Sequence, residues 1–326
     1  MKEEDIRPEI IFDEFLRLAK IDIDIYFKNV TEVSINCPCC GTISSFAFEK
    51  YGFNYEKCDK CHSLYVNPRP TVDAFSNYYS YSNSAKYWAT TFYKETASAR
   101  VNKLWKPKSI EINELIKQYK PNSNPVLVDI GGGFGLFANE IRKLISGEVI
   151  IIEPGSDLAS ICRENNFLVV EKFLENVIKE DLPNGEKVFV SFELFEHLTD
   201  PVHFLNCLFS IMSSGDLFIF TTLSSLGIDI QLLGKNSKSV SPPHHLNFFN
   251  PISIKKLLNN CGFETLQVTT PGKLDMDILH KNKNHINDNF WKTFFEITSE
   301  IERVKWQEWI SEQGLSSHMC VVCHKP

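Results

Sequence analysis

Two kinds of hydrophobic pattern alternate along this chain from residue 126 onward. Continuous apolar runs at 126–130, 148–153, 167–170, 187–192 and 216–222 predict strands covered on both faces. Between and after them, apolar residues recur at helical spacing over about 135–145, 156–165, 200–212 and 252–261. A further strand is expected at 263–269 and a last one at 318–324. Between those two, 276–312 reads as helical, with Phe290, Phe294, Ile297, Ile301 and Val304 in register. Strands alternating with helices predict an α/β fold with a largely parallel sheet.

The first 120 residues read differently. An amphipathic helix is expected over 9–19, carrying Ile10, Ile11, Phe12, Phe15, Leu16 and Leu18. Over 42–56, Phe46, Phe48, Tyr51, Phe53 and Tyr55 nearly alternate, as in the strands of a short ribbon. The prolines at 68 and 70 force an extended exit. A helical stretch rich in aromatics follows from about 71 to 119, and Pro121-Asn-Ser-Asn-Pro125 links it to the first sheet strand. The expected segments are 1–70 (helix and ribbon), 71–120 (helical lid or linker) and 121–326 (the sheet domain, with a helical insertion at about 276–313).

Candidate chemistry begins where the first buried strand runs into glycine. Asp129 is followed by Gly131, Gly133 and Gly135 in a DxGxGxG pattern, with Phe134 inside the turn. Glycine lets the backbone approach a ligand closely, and strand, turn and helix together make the ligand crevice of an open α/β sheet. The spacing departs from the GxGxxG of dinucleotide sites. The next strand ends at Glu153, 24 positions after Asp129, where an acid is suited to both hydroxyls of a ribose.

These residues resemble motif I of class I S-adenosylmethionine-dependent methyltransferases. The resemblance implies a seven-stranded Rossmann-like sheet with its last strand antiparallel. It also implies a methyl-donor site at Asp129, Gly131, Gly133, Phe134, Gly135, Glu153 and Pro154, with Phe173 or Leu174 walling the adenine. The segment 188–198 resembles a fourth-strand segment ending in Glu-His-Leu, which implies that Phe192 and Glu193 border the donor and that Glu196 and His197 sit at the pocket. The segment 243–249, Pro-His-His-Leu-Asn-Phe-Phe, resembles a loop after the fifth strand that carries a histidine near the acceptor. An oxygen or nitrogen acceptor must lose a proton, and histidine is the usual base. His244 and His245 are therefore the first candidates and His197 the next. Tyr78, Tyr87 and Trp88 offer flat faces for a sugar acceptor if the helical stretch is a lid, or packing if it joins ribbon to core.

Ten cysteines change the picture of the N-terminus. Cys37 and Cys40, then Cys58 and Cys61, form two C-x2-C pairs separated by seventeen residues. That spacing predicts a four-thiolate zinc site holding a ribbon too small for a core of its own. Cys39 and His62 are the substitute ligands. Cys320 and Cys323 share the spacing, but residues three apart on a strand face opposite ways, which argues against a second site. With the ribbon included, the chain resembles bacterial methyltransferases that fuse an N-terminal zinc ribbon to this core, many of them thought to act on sugars or surface-polysaccharide precursors.

Composition narrows the options. The net charge of −7 gives no general attraction to nucleic acid, and 42–56 carries only one basic residue, Lys50. The longest apolar runs fall short of a membrane span, and the acidic start of the chain lacks a signal-type apolar core. The expectation is a cytoplasmic methyltransferase on a small or carbohydrate acceptor. The alternative is an RNA-modifying enzyme or a methyltransferase-like binding protein whose ribbon grips nucleic acid or a partner protein.

Overall fold

A computed structural model of the chain describes residues 2–326. Among them the strands are, in chain order, β1 (Glu32–Val33), β2 (Ser45–Lys50), β3 (Phe53–Lys57), β4 (Leu64–Val66), β5 (Arg69–Pro70), β6 (Val126–Ile130), β7 (Val149–Ile152), β8 (Leu168–Val170), β9 (Lys187–Phe192), β10 (Leu217–Leu223), β11 (Asn247–Phe248), β12 (Glu264–Thr269) and β13 (His318–His324). The chain sorts into two compact units that interleave in sequence. One holds the residues up to Ala99 with Leu223–Ile254 and Thr269–Met319, and the other holds Arg100–Thr222, Lys255–Val268 and Cys320–Pro326. These units cut across the consecutive segments expected from the sequence.

Seven strands form one sheet in the order β12-β13-β10-β9-β6-β7-β8. From β8 through β10 neighbours are parallel. The last strand runs the other way. Gly215 N–H donates to the Lys325 carbonyl at 2.7 Å and Ser224 N–H to that of Ser317 at 2.7 Å, so numbers rise along one strand as they fall along the other. The order makes this the Rossmann-like α/β sheet expected.

The buried runs divide by period two between the faces. Leu127, Val149, Ile151, Val188, Val190, Leu217, Ile219, Cys320 and Val322 share one cluster with helix residues Ile112, Ile116, Phe137, Ile141 and Cys162. Their neighbours in sequence turn to the opposite face, where the rings of Phe218 and Phe220 stack at 4.6 Å and Phe195 packs on Phe220. Fully burying each such side chain stabilises by about 1.5–3 kcal/mol. Cys320 thus packs with Val322 while the Cys323 thiol donates to the Phe218 carbonyl, and the two face apart.

The ribbon unit contains a four-stranded antiparallel sheet ordered β11-β4-β3-β2. Its fourth strand is borrowed: Asn247 and Phe248 pair with Tyr65 and Leu64. The first helix runs Glu9–Tyr26, longer than expected, and Phe27 beyond it packs with Phe53, Tyr55, Phe75, Tyr78, Leu246 and Phe248. The insertion forms helices Asp275–Lys281, Asn289–Ile297 and Glu300–Glu312 around a separate core of Met276, Leu279, Phe294, Phe295 and Ile310. Among the described residues no helix is long and apolar enough to cross a membrane.

Candidate functional site

The sheet reverses its strand order between β6 and β9, and the carboxyl ends of strands at such a point open a ligand crevice. The glycine turn sits there. Gly131, Gly133 and Gly135 have φ of +72°, +56° and +68°, left-handed conformations that L side chains adopt at a cost of about 1–2 kcal/mol. They differ in their surroundings. A Cβ on Gly131 would meet Leu194 at 3.1 Å and one on Gly135 would meet Cys162 at 3.2 Å, whereas one on Gly133 would meet nothing within 4 Å. Gly132, silent in the motif, is sterically required: its Cβ would come within 2.8 Å of Ile151 and 3.1 Å of the Asp129 carboxylate.

Two buried acids lie beneath the turn. Asp129 is 2% exposed and its Oδ2 has no hydrogen-bond partner. Burial, and then the Glu153 charge, push its pKa up to about 7. Glu153 works as a clasp. Its Oε2 accepts from Gly133 N–H and its Oε1 from Gly155 N–H, both at 2.9 Å. Burial raises its pKa, and these amide bonds pull it back down. The sequence expectation gave Glu153 to a ribose; here both oxygens first order backbone. Cys162, read from sequence as core, donates its thiol to the Gly133 carbonyl at 3.2 Å. A glycine turn with open space over one member and an orphaned carboxylate oxygen fits a methyl donor that carries an ammonium group.

The other expected donor contacts scatter. Pro154 is half-buried after β7. Phe134 is half-buried within the turn, and Phe173 is 60% exposed after β8, whereas its alternative Leu174 is core. Phe192, half-buried at the end of β9, packs its ring 4.5 Å from that of Phe137 and 6.2 Å from Trp105. Glu193 has φ +54°, a strained conformation of the kind that gathers at functional sites, and accepts from Thr221 Oγ1 at 3.2 Å. Glu196 is buried and accepts from Thr222 Oγ1, while His197 ends the same short 3-10 turn, half-buried.

The adjacent histidines of the ribbon unit differ sharply. His244 is buried among Phe15, Tyr78 and Tyr79, with its Nε2 2.9 Å from the Tyr78 hydroxyl. Burial, and then the neighbouring His245, pull its pKa down to about 3. His245 is half-buried, and its Nδ1 lies 2.6 Å from the Ser239 carbonyl. A carbonyl only accepts, so Nδ1 carries the proton. Its own carbonyl is held by the Tyr55 hydroxyl at 2.9 Å, which ties this loop to the ribbon.

The three aromatic candidates all make packing contacts, and Tyr78 alone is sealed from solvent. Tyr78 is fully buried and its hydroxyl bonds Ser84 and His244. Trp88 stacks on Phe92 at 4.2 Å and leans on Phe15 at 4.7 Å, and Tyr87 packs against the same cluster. This stretch packs on the first helix through Phe12 and Phe15.

Cys37, Cys40, Cys58 and Cys61 bring their sulfurs within 4.8 Å of one another. Three of the separations are 3.4, 3.5 and 3.7 Å, near the edge of about 3.8 Å that a tetrahedron with 2.3 Å metal–sulfur bonds requires. The two knuckles match. Gly41 N–H donates to the Cys37 carbonyl and His62 N–H to that of Cys58, each at 2.8 Å, with Gly41 and His62 both at positive φ. The His62 backbone therefore supplies a turn, and the Cys39 thiol, which also interacts with Cys61, donates to the Ser253 carbonyl.

Comparison with known proteins adds the family. Among solved structures the chain is similar to a Thermotoga maritima S-adenosylmethionine-dependent methyltransferase (16% identity, TM-score 0.46, covering 73% of this chain and 98% of that one). It is also similar to the plantazolicin methyltransferase solved with S-adenosylhomocysteine (14%, TM-score 0.49, 77% and 93%). A third is the Haemonchus contortus phosphoethanolamine N-methyltransferase 2 (17%, TM-score 0.45, 66% and 53%). A search of curated proteins finds no match. A profile described as a methyltransferase domain matches residues 95–268, more than half of the sequence. The chain belongs to the methyltransferase-domain family.

Proposed function

We propose that this methyltransferase carries the methyl group of S-adenosylmethionine to an oxygen or nitrogen of a small or carbohydrate acceptor, a nucleotide- or carrier-linked precursor of a surface polysaccharide. The observation that carries the donor assignment is the orphaned, buried Asp129 oxygen beneath a turn of left-handed glycines. When bound, the donor supplies a sulfonium whose methyl carbon is attacked in line as the carbon–sulfur electron pair leaves to sulfur. The protein's part is to hold, align and exclude water. Gly133 gives room for the methionine portion, Asp129 accepts from its ammonium, and Glu153 keeps the turn closed while its outward lone pairs serve the ribose. Phe173 offers its exposed face to the adenine. A radiolabelled methyl-transfer screen against nucleotide sugars, sugar phosphates and RNA tests the whole reading; label appearing in RNA alone would overturn the acceptor.

Asp129 makes donor binding pH-dependent. Its raised pKa means the carboxyl is largely neutral below pH 7, and an ammonium must displace that proton. Donor affinity should therefore rise about tenfold between pH 6 and pH 8, and Asp129→Asn should flatten the profile, read by calorimetry. The unliganded fold responds oppositely. A carboxyl with raised folded pKa contributes stability below its unfolded value near 4, lost as pH rises through about 7.

For the proton, His245 is the first candidate because its tautomer is fixed by Ser239. His244 is neutral at any working pH and acts as a packing and positioning group. His197 stands third. His245→Ala should lower kcat by about 100-fold or more with little loss of stability. His244→Ala should chiefly destabilise, as its cavity would open among three aromatic rings. Equal kcat for wild type and His245→Ala would remove the base assignment.

We assign the cysteine cluster to structural zinc, which suits a reducing cytoplasm where disulfides are rare. The reading in which the ribbon grips nucleic acid loses support at Lys50. Its ammonium donates to the Ser237 carbonyl at 2.8 Å and burial lowers its pKa to about 8, so it is a poor phosphate ligand.

A further inference from the structure

The outer edge of the ribbon borders a cavity of about 580 Å³ that none of these assignments uses. That size lies within the range of small-molecule sites, about 300–1,000 Å³. Its walls come from three segments of one unit: strand β2 at Phe46–Glu49, the helix end and turn from Gln231 to Asn236, and the segment holding His285 and Asn287. Strand β2 is the terminal strand of its sheet, so backbone donors and acceptors face this space. A peptide strand would be the usual guest of such an edge. Here the pairing with β3 slips between Phe46 and Phe48, and a bulge of this kind twists an edge away from strand addition.

The remaining chemistry selects a different guest. Phe46 presents a ring 64% exposed to solvent, while Phe48 beside it is anchored on Tyr55 at 5.2 Å. Gln231, Asn236 and Asn287 offer amide groups that both donate and accept, the complement of vicinal hydroxyls. The Gln231 amide nitrogen is already committed to the Ser225 carbonyl, which leaves its oxygen as an acceptor. Lys235 brings positive charge, and the one acid, Glu49, is occupied with Gly52 N–H at 2.6 Å. A ring face, amide groups and the Lys235 ammonium together suit a sugar that carries an anionic group.

We propose that this cavity binds an anionic saccharide, a sugar bearing a phosphate or a carboxylate, at a site separate from that of the methyl donor. Phe46 stacks on the apolar face of the ring, the amides hold its hydroxyls, and Lys235 takes the charge. The inference does not require the acceptor reading, and its test contains no donor. Glucose 1-phosphate, glucose and inorganic phosphate are titrated separately into the full, zinc-loaded chain and followed by calorimetry and NMR shifts. Glucose 1-phosphate should bind at least about fivefold more tightly than either fragment. Phe46→Ala should weaken both sugars by about fivefold and leave phosphate unchanged; Lys235→Ala should reduce glucose 1-phosphate to the level of glucose. Both side chains are exposed, and unchanged melting curves certify the variants. The proposal is overturned if glucose 1-phosphate fails to bind, if inorganic phosphate binds as tightly, or if neither variant changes the titration.

Discussion

Gly133→Val leaves the sheet folded and weakens S-adenosylmethionine binding by roughly 100-fold, about 2.7 kcal/mol. The position combines φ of +56° with open space where a Cβ would point. A Cβ there meets no protein atom within 4 Å, so the folded state bears chiefly conformational strain, about 1–2 kcal/mol out of a typical 5–15 kcal/mol. The donor's methionine portion loses the space instead. Gly132→Ala is the contrasting control. Its Cβ would press on Ile151 at 2.8 Å, so melting temperature should fall before any donor is added. Calorimetry with S-adenosylhomocysteine and thermal melts of both variants separate the two effects. A change in affinity under threefold for a well-folded Gly133→Val would place the donor elsewhere.

Metal removal should have the second large effect. One zinc per chain is expected by elemental analysis, and Cys58→Ala or a strong chelator should lower the melting temperature of the ribbon by about 10 °C or more. The ribbon is not held by metal alone, since Phe53, Tyr55, Leu64 and Val66 share a core with Phe27, Phe75 and Phe248. The loss is therefore smaller than the roughly 10–16 kcal/mol seen for isolated zinc-finger peptides. If His245 is the base proposed above, the consequence for activity runs through β4 and Tyr55, which hold Asn247–Phe248 and the carbonyl of His245. Methyl transfer should fall with the metal while donor binding, carried by the sheet unit, persists. Full stability and activity in a chain shown to be metal-free would remove zinc from the account.

Local pattern carried much of this architecture. The strand runs at 126–130 and 187–192 and the final strand at 318–324 fall where the apolar residues placed them, because a strand buried on both faces leaves an unbroken apolar signature. The cysteine spacing foretold a sulfur cluster for a similar reason: each knuckle is a local turn, closed by amide bonds within four residues. The domain boundaries were less legible. Asn247 and Phe248 complete a sheet whose other strands lie nearly two hundred residues earlier, and a two-residue strand has no periodicity to read.

The candidate site divides along the same line. The motif residues Asp129, Gly131, Gly133 and Gly135 were visible because close backbone approach demands glycine at fixed offsets. The steric need for Gly132, the thiol of Cys162 on the turn, the clasp made by Glu153 and the packing of Phe192 on Phe137 were not, since each depends on a neighbour from another element. Two adjacent histidines look alike in a sequence, yet one is sealed among rings and the other is oriented by a carbonyl. By itself the sequence determined which backbone conformations, strand faces and thiol pairs this protein has, since those follow from side-chain shape and spacing along the chain. Tertiary structure alone decided which side chains meet and which are desolvated, because burial and hydrogen-bond partners are supplied by residues that no local pattern names.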